Sequence, residues 1–97
     1  MSINKEEERI LNKIDYRIVE IKNVSPSAEV RALVITQRQP SSDIVGDISN
    51  FAKVELVMPF LSTIKVKAKV KDLLTLAGKD YVKFIMLEEV LARPEEF

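Results

Sequence analysis

Apolar and lysine residues alternate strictly between positions 63 and 71, which is the clearest pattern in the chain. Ile64, Val66, Ala68 and Val70 occupy every second position, and a lysine follows each of them. This period of two predicts a β-strand over Thr63–Val70 with one buried face and one solvent-exposed face. A slip of one residue would bury the lysines, so the register of this strand should be strongly specified.

The period changes to that of a helix directly after this strand. Four apolar residues at 70, 73, 74 and 77 follow helical spacing, and Gly78 is a typical helix stop. The segment Tyr81–Leu87 is again apolar and rich in residues that favour strands. The second half of the chain therefore predicts a strand, a helix and a strand in that order.

The first half of the chain predicts the same order of elements. Glu29–Gln37 is apolar on both faces for much of its length, which is typical of a central strand. Apolar residues at 44, 48 and 51 repeat at i, i+4 and i+7 and predict a short amphipathic helix. Val54–Met58 predicts a further strand, which Pro59 ends because proline has no N–H to donate.

An extra segment precedes the first of these strands. Ile3–Ile14 predicts a helix, with Asn4 as its N-cap and acidic residues in its first turn. Tyr16–Lys22 fits two interpretations, since its isoleucines continue the helical spacing while its β-branched residues also suit a strand. We divide the chain into a helical extension at 1–28, a domain at 29–91 and a C-terminal tail at 92–97.

From residue 29 onward the predicted order is βαββαβ, the order of the ferredoxin-like fold. This α+β fold places four strands in one antiparallel sheet and packs two helices on one of its faces. The other face of the sheet stays open unless something covers it. The sequence thus predicts a ferredoxin-like domain with an extra N-terminal helix.

Leu33 and Ile35 show what the open face of that sheet requires. They alternate with Val30, Ala32 and Val34, so the two sets lie on opposite faces of the first strand. The two helices cover only one face, so one apolar set lies on the open face and needs a cover. Three covers fit the sequence: a partner protein, a second copy of the chain, or an N-terminal helix that carries Ile10, Leu11 and Ile14.

The composition excludes several kinds of function. The 97 residues suffice for one domain, and 15 basic and 15 acidic side chains cancel, so no overall field attracts nucleic acid or anionic lipid. The chain has no cysteine and no histidine, which removes Cys-His or Ser-His-Asp catalysis and the commonest ligands of transition metals. We therefore expect no enzymatic activity, no cofactor and no metal site.

The location of the protein follows from segments that the sequence lacks. It has no stretch of 18 apolar residues and no apolar core of a secretory signal. We therefore expect a soluble, cytoplasmic protein with no membrane partner. Abundant isoleucine and valine beside lysine and glutamate indicate a thermophilic source.

The lysines at 65, 67, 69 and 71 fit two functions. They could contact the phosphates of a nucleic acid, but no aromatic residue lies among them for base stacking. A solvated face that protects the sheet from edge-to-edge pairing is the favoured interpretation. Nucleic acid is therefore not the expected partner.

Four stretches and one acidic residue carry a resemblance to a known family: Val30–Val34, Phe60–Val66, Val70–Gly78, Tyr81–Ile85 and Glu88. They resemble the propeptide domains of subtilisin-like serine proteases and the free-standing subtilisin inhibitors related to those propeptides. The resemblance covers about two thirds of the chain. It implies the same ferredoxin-like fold and a protein-binding function.

The resemblance also implies how the domain binds. In this family the open face of the sheet docks on two surface helices of the protease, and an acidic residue near the end of the last strand caps them. Glu88 occupies the matching position, with Glu89 beside it. A carboxylate that faces free helical N–H groups gains charge-assisted hydrogen bonds. The tail from Leu91 to Phe97 would lie in the substrate cleft, where a specificity pocket would accept the Phe97 ring.

We therefore predict a non-catalytic protein-binding module that acts as a free-standing inhibitor or folding assistant of a subtilisin-like serine protease. Its predicted partner-binding residues are Leu33, Ile35, Glu88, Glu89, Leu91 and Phe97. The alternative is a structural or adaptor protein, for example a homo-oligomer, that associates through the open face of its sheet. An exposed strand end and a frayed terminus also explain the acidic pair and the tail without any partner.

Overall fold

The computed structural model describes residues 4–91, which contain four helices and four strands. Two helices come first, α1 (Lys5–Leu11) and α2 (Tyr16–Val24). The other elements are β1 (Glu29–Thr36), α3 (Ser42–Ile48), β2 (Lys53–Met58), β3 (Thr63–Lys69), α4 (Val70–Ala77) and β4 (Val82–Val90), with a 3-10 turn at Pro59–Leu61. The predicted βαββαβ order is confirmed, and the segment that fitted both a helix and a strand is helical.

The four strands form one sheet in the order β2-β3-β1-β4, and each neighbouring pair is antiparallel. β1 lies inside the sheet, between β3 and β4, as its apolar faces predicted. Leu33 in the middle of β1 pairs with Lys65 of β3 and with Met86 of β4. This is the ferredoxin-like strand arrangement of an α+β fold.

The core lies between one face of the sheet and the helices. Along β1, buried residues alternate with partly buried ones. Ile64, Val66 and Ala68 of β3 are buried on the same side, as their alternation with lysine predicted. Burial of one large apolar side chain contributes about 1.5–3 kcal/mol. The largest fully buried side chains come from both halves of the chain: Ile18, Ile48, Ile64, Leu73, Leu76, Ile85, Val30, Val34, Val66, Val70 and Val82.

α1 and α2 extend the helical layer and do not cover the open face. Ile14 and Ile18 are buried in the same core as Val30 and Ile85, and Ile10 packs against that core. α2 also packs beside α4. A cover of the open face by the N-terminal helix, one of the three that fitted the sequence, therefore does not occur in residues 4–91.

Side chains satisfy the first free N–H groups of three helices. Asn4 Oδ1 accepts a hydrogen bond from the Glu7 N–H at 2.8 Å, which confirms the predicted N-cap of α1. Asp15 Oδ1 accepts from the Arg17 N–H at 3.1 Å at the start of α2. Ser41 Oγ does the same for α3 at 3.3 Å. Each such cap typically stabilises a helix by about 1 kcal/mol.

The segment between α1 and α2 closes the outer edge of β4. The Ile85 N–H donates to the Lys13 carbonyl at 2.8 Å, and the Asp15 N–H donates to the Ile85 carbonyl at 2.8 Å, around a parallel bridge at Ile14. The Leu87 N–H donates to Asp15 Oδ2 at 3.0 Å. An exposed strand edge invites pairing with other chains, so these three bonds protect β4.

The Asp15 carboxylate joins this edge to the start of α2. Its side chain is 13% exposed, and Nη2 of Arg17 lies 2.7 Å from its Oδ2 atom. The hydrogen bond from Arg17 is the main cause that lowers the pKa of Asp15 from 3.8 to about 2; partial burial opposes the change, and the Leu87 N–H adds to it. The fold therefore stabilises the charged form of this carboxyl group.

Asp15→Asn should lower the free energy of unfolding by about 1–2 kcal/mol near neutral pH. The pKa of Asp15 is lower in the folded chain than in the unfolded one. The contribution is thus fully present above about pH 4 and is lost as the pH falls from about 4 to about 2. Urea denaturation of both proteins across this range measures the difference. A difference that persists unchanged below about pH 2 would contradict the role of the charge.

α3 is fastened to the loop before β4 by polar contacts. The Tyr81 hydroxyl donates to Asp47 Oδ2 at 2.6 Å, and the Lys79 ammonium lies 3.5 Å from the same oxygen. Lys79 also lies over the Phe51 ring, 4.8 Å from its centroid. Burial, followed by the hydrogen bond to Asp47, raises the pKa of Tyr81. A helix of seven residues is not stable alone, so these contacts help to hold it on the sheet.

Gly46 weakens α3 without a compensating contact. A Cβ at this exposed position would meet no atom within 4 Å, so close packing does not require glycine. We expect Gly46→Ala to raise the free energy of unfolding by about 0.5–1 kcal/mol. Chemical denaturation measures this change, and a loss of stability would contradict it.

Gly78→Ala is the matched control for this prediction. Gly78 ends α4, as predicted, but with an ordinary φ of −77°. A Cβ there would lie 3.3 Å from the Thr75 carbonyl oxygen, which is a tight contact with the backbone. We therefore expect no gain in stability from this second substitution.

Candidate protein-binding site

The side of the sheet away from the helices, the open face, carries an apolar patch. Leu33 and Ile35 lie at its centre, because the alternate residues of β1 point into the core. β4 adds apolar side chains directly beside them, and β2 adds others beyond Lys65 and Thr63 of β3. The open-face patch consists of Leu33, Ile35, Leu56, Met58, Phe84 and Met86.

The members of the open-face patch pair across strands. Ile35 is opposite Phe84 and Leu33 is opposite Met86, and side chains in such pairs have Cβ atoms about 4.5–5.5 Å apart. Leu56 is 51% exposed and Met86 is 41% exposed. No helix of residues 4–91 covers this patch. Apolar side chains that stay exposed on an uncovered sheet face are typical of an interaction site.

The other half of the open face is charged and is centred on Arg31. Its Nε donates to Glu55 Oε1 at 3.0 Å, and its Nη1 donates to Glu89 Oε1 at 2.8 Å. Both bonds raise the pKa of the Arg31 guanidinium, and the bond to Glu89 is the larger cause. The guanidinium is charged in any case. The Lys65 ammonium lies 3.3 Å from Glu88 Oε1. A shallow depression of about 460 Å³ here is lined by Arg31, Glu55, Leu56, Lys65 and Glu89.

The four predicted lysines do not form one row. Lys65 and Lys67 lie on the open face and pair across strands with residues of β1, but Lys71 belongs to α4. Carboxylates of Glu55 and Glu89 lie among the cations near Arg31. The open face therefore carries interleaved charges rather than the continuous positive surface that phosphates favour.

The predicted site residues do not all lie together in the structure. Leu33 and Ile35 lie on the open face, as predicted for one of the two sets. Leu91 follows β4, and its N–H donates to the Glu29 carbonyl at 3.0 Å, at the end of β1 remote from Ile35. Phe97 lies outside the described residues 4–91. Leu91 therefore does not join the open-face patch.

Glu88 and Glu89 lie near the end of β4, and both already have cationic partners. Glu89 pairs with Arg31, and Glu88 pairs with Lys65. A register shift in the β1–β4 ladder leaves Glu88 as the extra residue between two paired positions. Both side chains are partly exposed. A contact of Glu88 with a partner helix would therefore require it to leave Lys65.

The sequence did not identify four members of the open-face patch: Leu56, Met58, Phe84 and Met86. Phe84 and Met86 alternate with Ile85 and Leu87, but both sets are apolar, so the period of two could not show which set faces the core. The face of the sheet on which Leu56 lies depends on a register shift in the β2–β3 ladder, and no residue type indicates that shift. These positions follow from strand pairing alone.

Two features that would indicate other kinds of function are absent from residues 4–91. No group of three histidine, cysteine, aspartate or glutamate side chains in this part of the chain is placed to hold a metal ion. None of its helices is both long and apolar enough to cross a membrane.

Comparisons of the chain with protein-family models, with curated proteins and with solved structures give no match. The resemblance to subtilisin propeptides therefore rests on the residue pattern of the chain and stays a prediction.

Proposed function

We propose that this protein is a non-catalytic protein-binding module that docks its open face on a subtilisin-like serine protease and inhibits the protease or assists its folding. The observation that carries the proposal is the uncovered open-face patch around Leu33 and Ile35. The residue pattern shared with subtilisin propeptides supplies the class of partner. The βαββαβ order of the domain agrees with that class.

The two halves of the open face would make different contributions to such an interface. Burial of apolar area contributes about 25 cal/mol per Å², so the open-face patch supplies binding energy. The charged half around Arg31 supplies orientation and selectivity, because its charges must meet complementary groups on the partner. Energy concentrated in a few central side chains is typical of protein interfaces.

Glu88 contributes to the proposed interface by exchanging its partner. Its ion pair with Lys65 is partly exposed, and such pairs contribute about 0–1 kcal/mol. Release of Lys65 therefore costs little. The freed carboxylate can accept hydrogen bonds from the N–H groups at the start of a partner helix, where the helix dipole favours negative charge.

Leu33→Asp should weaken inhibition of a subtilisin-like protease by about 2 kcal/mol, or roughly 30-fold, because it places a charge at the centre of the open-face patch. Val24→Asp is the matched control, since Val24 is 88% exposed on α2. We expect this control to inhibit like the wild type. Substrate turnover at increasing protein concentration gives the inhibition constants.

Two outcomes of this assay would count against the proposal in different ways. Undiminished turnover at a large excess of wild-type protein would contradict the choice of partner. Equal inhibition by Leu33→Asp and Val24→Asp would contradict the open face as the binding site. Circular dichroism of each variant verifies that it is folded.

Glu88→Gln tests the exchange of partners by this carboxylate. We expect inhibition to weaken by about tenfold, because a charge-assisted hydrogen bond to the partner is lost. Thermal unfolding should change by less than about 0.5 kcal/mol, since the pair with Lys65 is on the surface. Glu20→Gln, at an exposed position of α2, is the control. Unchanged inhibition by Glu88→Gln would exclude a capping role for Glu88.

A further inference from the structure

The two edges of the sheet differ in what they offer to another molecule. The outer edge of β4 is bonded to Lys13 and Asp15. The outer edge of β2 has no such cover, because no strand or loop of residues 4–91 pairs with it. β2 is therefore the edge of the described sheet that can still accept a strand.

Strand alternation determines which backbone groups of β2 face outward. The Thr36 N–H donates to the Ser62 carbonyl at 2.7 Å, so every second residue of β3 from Ile64 onward bonds to β1. The intervening residues of β3 bond to β2, where their partners are Lys53, Leu56 and Met58. Val54 and Val57 therefore point their N–H and C=O groups away from the sheet.

The bulge in β2 makes this edge complementary to itself. The register shift between Val54 and Leu56 inserts Glu55, whose carboxylate reaches Arg31 on the open face. Glu55 and Leu56 therefore both project on the open face. From Lys53 to Met58 the side chains face open, core, open, open, core and open. This order is the same in both directions along the strand.

We propose that two copies of this chain associate edge to edge through β2, with Val54 of each copy opposite Val57 of the other. A two-fold axis between Glu55 and Leu56 brings each outward N–H to an outward C=O. Four backbone hydrogen bonds form, and two four-stranded sheets become one sheet. Core-facing side chains meet core-facing ones, and open-face side chains meet open-face ones.

The charges of β2 favour this register over its neighbour. Glu55 lies opposite Leu56 of the second copy, and Lys53 lies opposite Met58, so no like charges face each other. A shift by one residue in either direction would pair core-facing side chains with open-face ones, and in one direction it would also place Glu55 opposite Glu55 of the second copy. Directly opposed like charges destabilise a strand pair. The register with Val54 opposite Val57 is therefore the selected one.

Exposed apolar side chains cluster beside this edge. Leu56 is 51% exposed, and Phe60 and Leu61 in the following turn are 94% and 67% exposed. In the proposed register Phe60 approaches residues 51–52 of the second copy, where the chain enters β2. A second copy thus offers cover to side chains that this chain leaves in water. It also brings Leu56 of the two copies close together and enlarges the open-face patch without covering it.

Pro59 limits the strength of this contact. It has no N–H and directly follows β2, so the strand pairing ends there. Stable interfaces bury roughly 800 Å² on each partner, which is more than one six-residue edge and a turn provide. The association should therefore be weak and should depend on protein concentration.

Sedimentation equilibrium of the full chain between about 10 μM and 1 mM tests the proposal. The weight-average mass should rise from 11.1 kDa toward about 22 kDa, twice the mass of one chain. Val57→Pro removes an outward N–H and no bond to β3, so it should weaken association at least roughly tenfold. Val57→Ala, the matched control, keeps the N–H and should stay within about threefold of the wild type. Leu33→Asp on the open face should leave association unchanged.

Three results would overturn the proposal. The wild type could remain a monomer at about 1 mM, Val57→Pro could associate as strongly as the wild type, or Leu33→Asp could abolish association. The last result would place the contact on the open face. Amide hydrogen exchange of the wild type decides the matter if Val57→Pro does not fold.

Amide hydrogen exchange tests the proposed contact at individual residues. The Val54 and Val57 amides should exchange several-fold more slowly at about 1 mM than at about 10 μM. The Leu87 amide, which already donates to Asp15, should be insensitive to concentration. Equal exchange rates of Val54 and Val57 at both concentrations would overturn the proposal.

Discussion

The bonds between residues 13–15 and the outer edge of β4 decide which surfaces of this molecule stay available. They hold Ile14 against Ile85 and place the start of α2 at the Asp15 carboxylate. α1 and α2 are thereby committed to the side of the sheet where the core lies. Because two of these bonds are made by the Asp15 residue through its N–H and its carboxylate, one residue caps a helix and protects a strand. The open face and the β2 edge are what remains.

The order of elements from β1 to β4 could be predicted because the apolar residues of these segments fit the period of a strand or that of a helix, but not both. The lysines of β3 permit one register, since the opposite register would bury them. Tyr16–Lys22 could not be assigned in the same way, because its branched residues satisfy both periods. The burial of Ile18 and the bond from Leu87 to the capping Asp15 favour the helix, and both are contacts with distant parts of the chain that the local sequence does not encode.

The candidate site was predictable only in its centre. Leu33 and Ile35 belong to a strand that is apolar on both faces, so an uncovered set was expected from the residues alone. The flanks of the open-face patch depend on register shifts at Glu55 and Lys83, each of which inserts one residue into a ladder. Such shifts reassign every following side chain to a face. The ion pair of Glu88 with Lys65 likewise depends on a geometry that residue types do not reveal.

The hydrogen bond from Leu87 to Asp15 joins residues 72 positions apart, which constrains the order in which the molecule can assemble. During synthesis α1 and α2 leave the ribosome before the strand edge that receives residues 13–15. Ile14 and Ile18 have no complete core to enter until that strand has emerged. Contacts of such long sequence separation form after a costly loop closure. The first helices of the chain are therefore among the last parts to become fixed in place.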